Sequence, residues 1–313
     1  MRAISRCLII RSRTAEPMPQ RCAKPSIALA TVTSPSFLVG TQVMIHSFLA
    51  HNRWFDGDII VFCADPDDRV APTLEAQFPR VSCRRASAEL DAAIDHLVAA
   101  RPDLATRRDR FLSLESFALT GYDKVLFCDS DLLFQGDVAG LLDGETRLVA
   151  CPDGAMLRGN RRDRMTLEEI AADDGDPLAT SFNAGLMLID AALRGPAIAE
   201  ALRARLAPTA WQAVLSQHTD QAVLNLEFHE CVTLVSTAYN LMIGHRIDSH
   251  ASEPVRLSEA KVLHFNGQAK PWRMDRQLAG ASRDAALIEA LRYWYDAYLA
   301  MLTAHHFNQG RTA

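Results

Sequence analysis

Short apolar runs alternate along this chain with segments whose apolar residues recur at helical spacing. The apolar runs predict buried strands at 27–32, 58–63, 81–83, 124–128, 147–151, 185–189 and 261–263. Helical spacing predicts helices at 39–48, 111–118 and 284–302, and Gly121 can close the second of these. Near-continuous apolar strands separated by helices are typical of a mostly parallel sheet covered on both faces. The pattern therefore predicts an α/β fold with a mixed, mostly parallel sheet flanked by helices.

One long segment, residues 152–182, breaks this alternation. Its first part, 157–164, is polar and basic, and 166–169 reads as a capping box that opens a short helix. We interpret the segment as a solvated surface excursion. The alternative is a mobile lid, or a loop that binds an acceptor substrate.

The two ends of the chain differ in charge and in patterning. Residues 1–25 are positively charged, but their apolar run, Cys7–Ile10, is shorter than the core of a signal peptide, about 7–15 residues. We interpret them as a disordered leader, or as an upstream start with Met18 as the true initiator. The last helix carries an apolar stripe that suits packing against the core or a second subunit, so a homo-oligomer through this helix stays open. No stretch approaches the roughly 20 apolar residues of a membrane span.

Composition narrows the class of protein. The 313 residues are 49% hydrophobic and carry a formal net charge of −5, which is ordinary for a folded soluble protein. The mildly acidic balance argues against a general binder of DNA or RNA. The seven cysteines include no CxxC pair, so a disulfide framework and a structural zinc site are not expected. Reduced, buried thiols and a cytoplasmic location, with association at a membrane surface left open, follow as the default.

The strongest local signal for chemistry is Asp129-Ser130-Asp131, directly after the apolar strand 124–128. Two carboxylates one residue apart at a strand end can converge on one hard cation such as Mg²⁺ or Mn²⁺, which substrate phosphates then complete. Turns and helix caps also produce this spacing. A phosphatase of the haloacid dehalogenase kind begins in the same way, but Leu133 does not fit its pattern, so phosphoryl transfer is kept as a minor alternative.

A second signal follows the strand-like residues 261–263. His264, Gly267, Lys270 and Trp272 fall within nine residues. Imidazole suits Mn²⁺ better than Ca²⁺, Gly267 would let the backbone approach a diphosphate, and Lys270 would supply a point charge to the phosphates. A hydrogen-bonded structural histidine and a solvated lysine are the plain alternatives.

Two further motifs carry amide and carboxylate side chains. Asn183 precedes Gly185 where an apolar strand begins, and its amide offers the paired donor and acceptor that sugar hydroxyls need. Asp220 could accept hydrogen bonds from sugar hydroxyls, and Gln221 could lie near the carbon at which such a sugar reacts. A turn asparagine and a helix N-cap at Thr219 or Asp220 are the structural alternatives.

Taken in order, these motifs resemble glycosyltransferase family 8, the glycogenin-like and bacterial lipopolysaccharide glycosyltransferases. The resemblance runs from about Ile27 to Trp272 and rests on four motifs in the family's order. It implies a GT-A fold over 26–275, with a nucleotide-binding half to about residue 150 and a sugar and acceptor half after it. Residues 276–313 then form a C-terminal helical segment. It also implies a nucleotide-sugar donor, usually UDP-linked, a Mn²⁺ ion with Mg²⁺ as the alternative, and transfer with retention.

The resemblance also implies roles for individual residues. The metal ligands would be Asp129, Asp131 and His264. The diphosphate would lie against Gly267 and Lys270. The nucleotide would also contact Ala30, Thr31, Phe37, Ser130 and Arg110. The donor sugar would be lined by Asn183, Ala184, Asp220 and Gln221, of which the last two are the catalytic candidates.

Two departures from the family pattern are visible. The stretch between Thr31 and Phe37 is longer than in glycogenin-like members and lacks their Asn-Asp, so diphosphate recognition is better supported than uracil recognition. A basic residue that many members carry before the Asp-x-Asp strand stands here as Ser113, and Arg110 is the substitute we consider first.

The sequence thus predicts a retaining hexosyltransferase that acts on an unidentified glycan, lipid-linked or protein acceptor. A non-catalytic protein that binds sugar nucleotides is the alternative from another class. A metal-dependent phosphohydrolase is the less favoured third hypothesis.

Overall fold

The centre of the protein is a β-sheet seen in a computed structural model, which describes residues 25–64, 69–153, 182–212, 218–228, 230–243, 255–281 and 286–309. The strands of the described chain are β1 (Ile27–Thr33), β2 (Ile59–Cys63), β3 (Val81–Arg84), β4 (Lys124–Cys128), β5 (Leu132–Phe134), β6 (Leu148–Pro152), β7 (Phe182–Asp190), β8 (Val232–Leu234), β9 (Leu241–Met242) and β10 (Val262–His264). Within these residues, seven strands form one sheet in the order β3-β2-β1-β4-β7-β6-β8, and three form a second sheet, β5-β10-β9.

Strand direction decides where the side chains of the large sheet converge. β3, β2, β1 and β4 are parallel neighbours, β7 runs antiparallel to both β4 and β6, and β6 is parallel to β8. The predicted mixed, mostly parallel sheet is therefore confirmed, with β7 as the reversed strand. The carboxyl ends of β1, β4 and β6 and the amino end of β7 consequently lie at the same edge.

Helices cover both faces of this sheet. Among the described residues the α-helices are α1 (Leu38–His51), α2 (Val70–Gln77), α3 (Ala88–Ala100), α4 (Pro196–Arg205), α5 (Pro208–Trp211), α6 (Asp220–Phe228), α7 (Met274–Ala281) and α8 (Ala286–Gln309). Shorter 3-10 segments are Ala139–Leu142, Ala191–Leu193 and Thr237–Tyr239. The segment predicted as a helix at 111–118 is the end of a long 3-10 helix, Pro102–Phe117. Because residues 111–117 are all buried, this end packs on every side and does not need the single apolar stripe of an amphipathic α-helix.

The core lies on both sides of the sheet. Alternate residues of β1 point to opposite faces, so Ala28 and Ala30 join one apolar cluster while Ile27 and Leu29 join the other. Burial on both faces explains why the strands read as continuous apolar runs. Cys63, Cys128 and Cys151 are buried among these residues, as expected, and Cys83 and Cys231 are half-buried.

A third apolar cluster joins α8 to the small sheet. Trp294 of α8 is buried, stacks on Tyr298 with ring centroids 5.4 Å apart, and contacts Trp272. The predicted packing of this helix against the core is thus confirmed for most of its stripe, although Leu302 stays exposed. Within the described residues, no helix combines the length and the apolarity needed to cross a membrane. The predicted leader up to residue 24 and residues 154–181 of the predicted surface excursion lie outside those residues.

Candidate functional site

A cavity of about 670 Å³ opens at the sheet edge where β1 and β4 end and β7 begins. Most of the residues singled out by the sequence line it: Phe37, Arg110, Asp129, Ser130, Asp131, Asn183, Ala184, Asp220, Gln221, His264, Gly267 and Lys270. Its volume is within the range of about 300–1,000 Å³ typical of small-molecule sites. The topology brings these residues together because the relevant strand ends share one edge.

The turn after β4 points its two carboxylates in a fixed direction. The hydroxyl of Ser130 donates to the carbonyl of Val32 and accepts from Thr41 Oγ1 at 3.0 Å, so this side chain anchors the turn to β1 and α1. On the other side, the backbone N–H of Asp129 donates to the carbonyl of Gly185 at 2.7 Å. With the central residue tied inward, Asp129 and Asp131 face the cavity.

His264 completes a cluster with these carboxylates. One ligand atom of each of Asp129, Asp131 and His264 lies within 4.8 Å of the other two. His264 Nε2 is 3.2 Å from Asp131 Oδ1 and 3.7 Å from Asp129 Oδ2, and that Asp131 oxygen is buried without a hydrogen bond. Two carboxylate oxygens and an imidazole nitrogen are donors that suit Mn²⁺ or Mg²⁺. The donor set present therefore fits a divalent cation.

The two carboxylates have different electrostatic surroundings. Burial and the charge of Asp131 raise the pKa of Asp129 to about 7, and the 41% exposure of its side chain to the cavity weakens that shift. Burial opposes ionisation of Asp131 as well, but the neighbouring Lys270 and His264 outweigh it and hold the pKa of Asp131 well below its usual value. Asp131 is thus the more readily ionised of the two carboxyl groups.

Lys270 lies directly beside the cluster. Its ammonium donates to Asp131 Oδ2 and, at 2.7 Å, to the carbonyl of Phe265, and it lies 5.6 Å from the centre of the Phe37 ring. Gly267 has φ of 85°, a left-handed conformation that favours glycine. The loop after β10 therefore presents a cation and a tight turn to the cavity together.

Two of the residues predicted to contact the nucleotide, Ala30 and Thr31, lie inside β1, and that contact stays a prediction. Ala30 and Thr31 are fully buried inside β1 and do not line the cavity, because β1 continues to Thr33 and the edge begins later. Val32 and Thr33 line it instead, together with Ser34, Ser36 and Phe37. Phe37 packs edge-on against Trp272, with ring centroids 5.4 Å apart.

The opposite wall is built from β7 and the start of α6. Gln221 Oε1 accepts from the backbone N–H of Ala184 and from Asn183 Nδ2, both at 3.1 Å. Asp220, at the first position of α6, accepts from Ser113 Oγ at 2.7 Å and from Thr219 Oγ1 at 2.9 Å. Ser113, at the position where the resemblance led us to expect a basic residue, therefore supplies a hydroxyl to Asp220. Arg110 lines the same cavity, as does Arg107.

Two residues of the site were missed by the sequence analysis. Asp153, directly after β6, is fully buried and accepts from Asn183 Nδ2 at 3.1 Å and Gln221 Nε2 at 2.8 Å. The rule that singled out Asp129, an acid directly after an apolar strand, applies equally to Asp153 and could have found it. Asn240, which lies 2.9 Å from His264 Nδ1 through its Oδ1, follows no such pattern.

Solved structures with the same architecture are GT-A glycosyltransferases. An active-site mutant of the galactosyltransferase LgtC is 20% identical with a TM-score of 0.57, and the match covers 84% of this chain and 95% of that one. Mouse xyloside xylosyltransferase 1 is 14% identical with a TM-score of 0.53, and the match covers 77% of this chain and 97% of that one. These likenesses establish that the protein has a GT-A fold.

The family follows from the sequence comparison. The family model described as Glycosyl transferase family 8 matches residues 28–276, and the chain therefore belongs to that family of glycosyltransferases.

Two curated relatives are consistent with this assignment. Glycosyltransferase GlyF of Streptococcus pneumoniae serotype 4 is 26% identical over 253 residues, covering 80% of this chain and 57% of that protein. Glycogenin of Komagataella phaffii is 24% identical over 286 residues, covering 84% of this chain and 63% of that protein. The chain thus spans about three fifths of the length of these relatives.

Proposed function

We propose that this protein transfers a hexose from a nucleotide sugar, UDP-linked, to an acceptor hydroxyl with retention at the anomeric carbon. The observation that carries the proposal is the convergence of Asp129, Asp131 and His264 with Lys270 in one cavity. Asp129, Asp131 and His264 would hold a divalent cation, Mn²⁺ or in its place Mg²⁺. When bound, the cation would stabilise the negative charge that develops on the diphosphate leaving group.

The residues around the diphosphate add fixed positive charge and backbone donors. Lys270 can exchange its contact with Asp131 for a contact with a phosphate oxygen, since Lys270 and Asp131 both line the cavity. Gly267 lets the backbone of that loop approach the diphosphate closely. Such preorganised groups stabilise the transition state most where water is excluded.

The sugar would lie against Asn183, Ala184, Asp220 and Gln221. Because Gln221 Oε1 already accepts two hydrogen bonds, its carbonyl is a poor nucleophile and its role is to shape the pocket. We propose attack from the face that the diphosphate leaves. The anomeric carbon–oxygen bond to the diphosphate breaks, the acceptor oxygen bonds to that carbon, and its proton passes to the departing diphosphate. Asp220 is the residue to examine for a covalent sugar adduct, which would contradict this route.

The decisive experiment is a donor screen with the full chain. Nucleotide sugars are incubated singly with the protein and Mn²⁺ or Mg²⁺, and nucleotide release is measured with and without a chelator. We expect metal-dependent release of UDP from a UDP-hexose. Equal release in the presence of the chelator would contradict the metal site, and release of inorganic phosphate would identify the phosphohydrolase alternative.

The non-catalytic alternative has its own outcome. Calorimetric binding of a UDP-hexose without transfer to any member of a glycan, lipid-linked and protein acceptor pool would support it. We propose a cytoplasmic enzyme that works at a membrane surface or on a soluble acceptor, and the acceptor pool covers both. A homo-oligomer through α8 is measured in the same preparation by light scattering.

Replacing Lys270 by Met should separate nucleotide binding from metal binding. The change removes the ammonium beside Asp131 but keeps an aliphatic chain against Phe37. Donor turnover should fall by about 10²-fold because the leaving group loses a charge partner. Mn²⁺ affinity of the nucleotide-free protein should stay equal or rise, since a competing cation is gone.

The matched control is Lys261→Met. Lys261 lies over the Tyr239 ring, 5.8 Å from its centre, away from the cavity. Its loss should leave both donor turnover and Mn²⁺ affinity unchanged. If Lys270→Met instead lost Mn²⁺ binding and kept donor turnover, Lys270 would not serve the diphosphate.

A further inference from the structure

A series of buried side chains connects the donor-sugar wall to His264. The backbone N–H of Gly185 donates to Asn183 Oδ1 at 2.9 Å, and Asn240 Nδ2 donates to the same oxygen at 2.8 Å. Asn240 Oδ1 then lies 2.9 Å from His264 Nδ1. Asn183, Asn240 and His264 are each at most 5% exposed. An amide in the wrong orientation here could not replace its lost hydrogen bonds by bonds to water.

Backbone groups fix the orientation of the first two amides, Asn183 and Gln221. A backbone N–H can only donate, so the Asn183 atom that meets Gly185 is its oxygen and the other is its amide nitrogen. That nitrogen faces two acceptors, Asp153 Oδ2 and Gln221 Oε1, each at 3.1 Å. Gln221 Oε1 is itself identified by the backbone N–H of Ala184. The Asn183 amide therefore has one orientation that satisfies all its neighbours.

The same reasoning extends to the histidine. Because Asn183 offers an oxygen, Asn240 must turn its nitrogen toward Asn183 and its oxygen toward His264. An oxygen at 2.9 Å from Nδ1 requires a hydrogen on Nδ1. Nε2 is then the ring nitrogen that is available to a cation, and it lies 3.2 Å from Asp131 Oδ1. A metal-ligating histidine needs this arrangement, with the second nitrogen held by an outer partner.

We propose that Asn240 is a positioning residue that holds His264 with its proton on Nδ1, and that Asn183 and Asp153 in turn orient Asn240. The relay links the wall proposed for the donor sugar to the site proposed for the cation, so a disturbance at Gln221 reaches His264 through two amides. The proposal rests on the proposed function, because the Nε2 lone pair has a use only if a cation binds there.

The protonation of Nδ1 can be measured without metal or substrate. ¹⁵N NMR of the histidine-labelled full chain distinguishes a protonated from an unprotonated ring nitrogen. The His264 signals are assigned by their absence in His264→Gln. We expect a proton on Nδ1 in the wild-type protein and its loss, or a mixture of tautomers, in Asn240→Leu. A wild-type Nδ1 without a proton would overturn the proposal.

Mn²⁺ binding gives a second readout. Electron paramagnetic resonance of free Mn²⁺ should show affinity lowered by about 10–100-fold in Asn240→Leu, as is common for outer partners of metal ligands. Asn240→Asp keeps an acceptor for Nδ1–H, so it should retain the tautomer and more of the affinity than Asn240→Leu. Equal Mn²⁺ affinity in wild type and Asn240→Leu would also overturn the proposal.

Asn52→Leu is the matched control for loss of a buried amide. Asn52 is 1% exposed, as is Asn240, and makes two side-chain hydrogen bonds, to Phe48 and Val138, away from the cavity. The Asn52→Leu substitution should lower the free energy of unfolding without changing Mn²⁺ affinity. If wild type binds no divalent cation, the proposed function fails, whereas the NMR result judges the relay by itself.

Discussion

Replacing Asp131 by Asn is expected to lower the rate of sugar transfer by about 10³-fold while the protein stays folded. Asp131 is the anion that Lys270 and His264 keep ionised, and one of its oxygens is buried without a hydrogen bond. An amide has the same shape but supplies one neutral ligand oxygen and an N–H group that repels a cation. The affinity for Mn²⁺ should therefore fall together with turnover.

The fold should survive this change, because relief of the repulsion between Asp131 and Asp129 offsets part of the stability that is lost with the Lys270 contact. Asp131→Asn leaves Lys270 without its carboxylate, which costs stability. It also removes the like charge that helps to raise the pKa of Asp129, which restores some. Circular dichroism and thermal unfolding in chelator should show a folded protein.

Asp137→Asn provides the control for the change in net charge. Asp137 belongs to the same segment of chain but accepts from Trp54 Nε1 at 2.8 Å and from the backbone N–H of Ala139, outside the cavity. It should transfer sugar at the wild-type rate. Transfer by Asp131→Asn within about tenfold of wild type would mean that the cation is held without this carboxylate, or is not needed.

The sheet could be predicted because burial on both faces leaves a direct trace in the sequence. Each central strand, such as β1, β2 and β4, is apolar at nearly every position and is bounded by polar residues. Strand direction is not encoded in this way. The sequence of β7 is as apolar as those of the parallel strands, although β7 runs antiparallel to both of its neighbours, β4 and β6. Very short strands such as β9, with two residues, are likewise set by pairing with β10 and not by local pattern.

The candidate site could be predicted as far as it follows strand ends. Asp129, Asp131 and His264 each stand at or just after a strand that is apolar before them, and the shared edge brings them within one cavity. Ala30 and Thr31 do not line the cavity, and the sequence gives no sign of this because the end of a strand is poorly marked in it. β1 continues two residues past Thr31, and its interior is packed on both sides.

The side-chain hydrogen bonds of the site could not be predicted from the sequence. The hydroxyl of Ser130 donates to Val32 and accepts from Thr41, two partners that the sequence did not predict. Asn240 lies in the segment between Thr237–Tyr239 and β9, and only the tertiary fold brings it to His264. Such pairings depend on where three separate elements meet, which no local spacing encodes.

Gly185→Ala is expected to disable the site from within a regular strand. Gly185 lies inside β7, and its φ is not in the left-handed region, so no turn requires a glycine there. A Cβ at this position would lie 2.5 Å from His264 Cε1, 2.9 Å from Asn183 Oδ1 and 3.0 Å from Asp129 Oδ2. Glycine is needed because two proposed ligands and the residue that orients Asn240 all approach the bare Cα.

A methyl group here must displace at least one of these three groups. Moving His264 or Asp129 opens the cluster, and moving Asn183 disturbs the hydrogen bonds that orient His264. We therefore expect Mn²⁺ affinity to fall by at least about tenfold and transfer to fall further. Overpacking should also lower the free energy of unfolding by about 1–3 kcal/mol.

Gly136→Ala separates the steric cause from the loss of a glycine. A Cβ at Gly136 would lie 3.4 Å from Lys261 Cγ, an ordinary van der Waals contact outside the cavity. That variant should bind Mn²⁺ and transfer sugar as wild type does. If Gly185→Ala kept wild-type Mn²⁺ affinity, the three groups could yield without loss, and their close approach would not be what preserves the cluster. A fall in Mn²⁺ affinity confined to Gly185→Ala would instead mean that a position inside the sheet, with no side chain of its own in the cavity, sets the geometry of the proposed ligands.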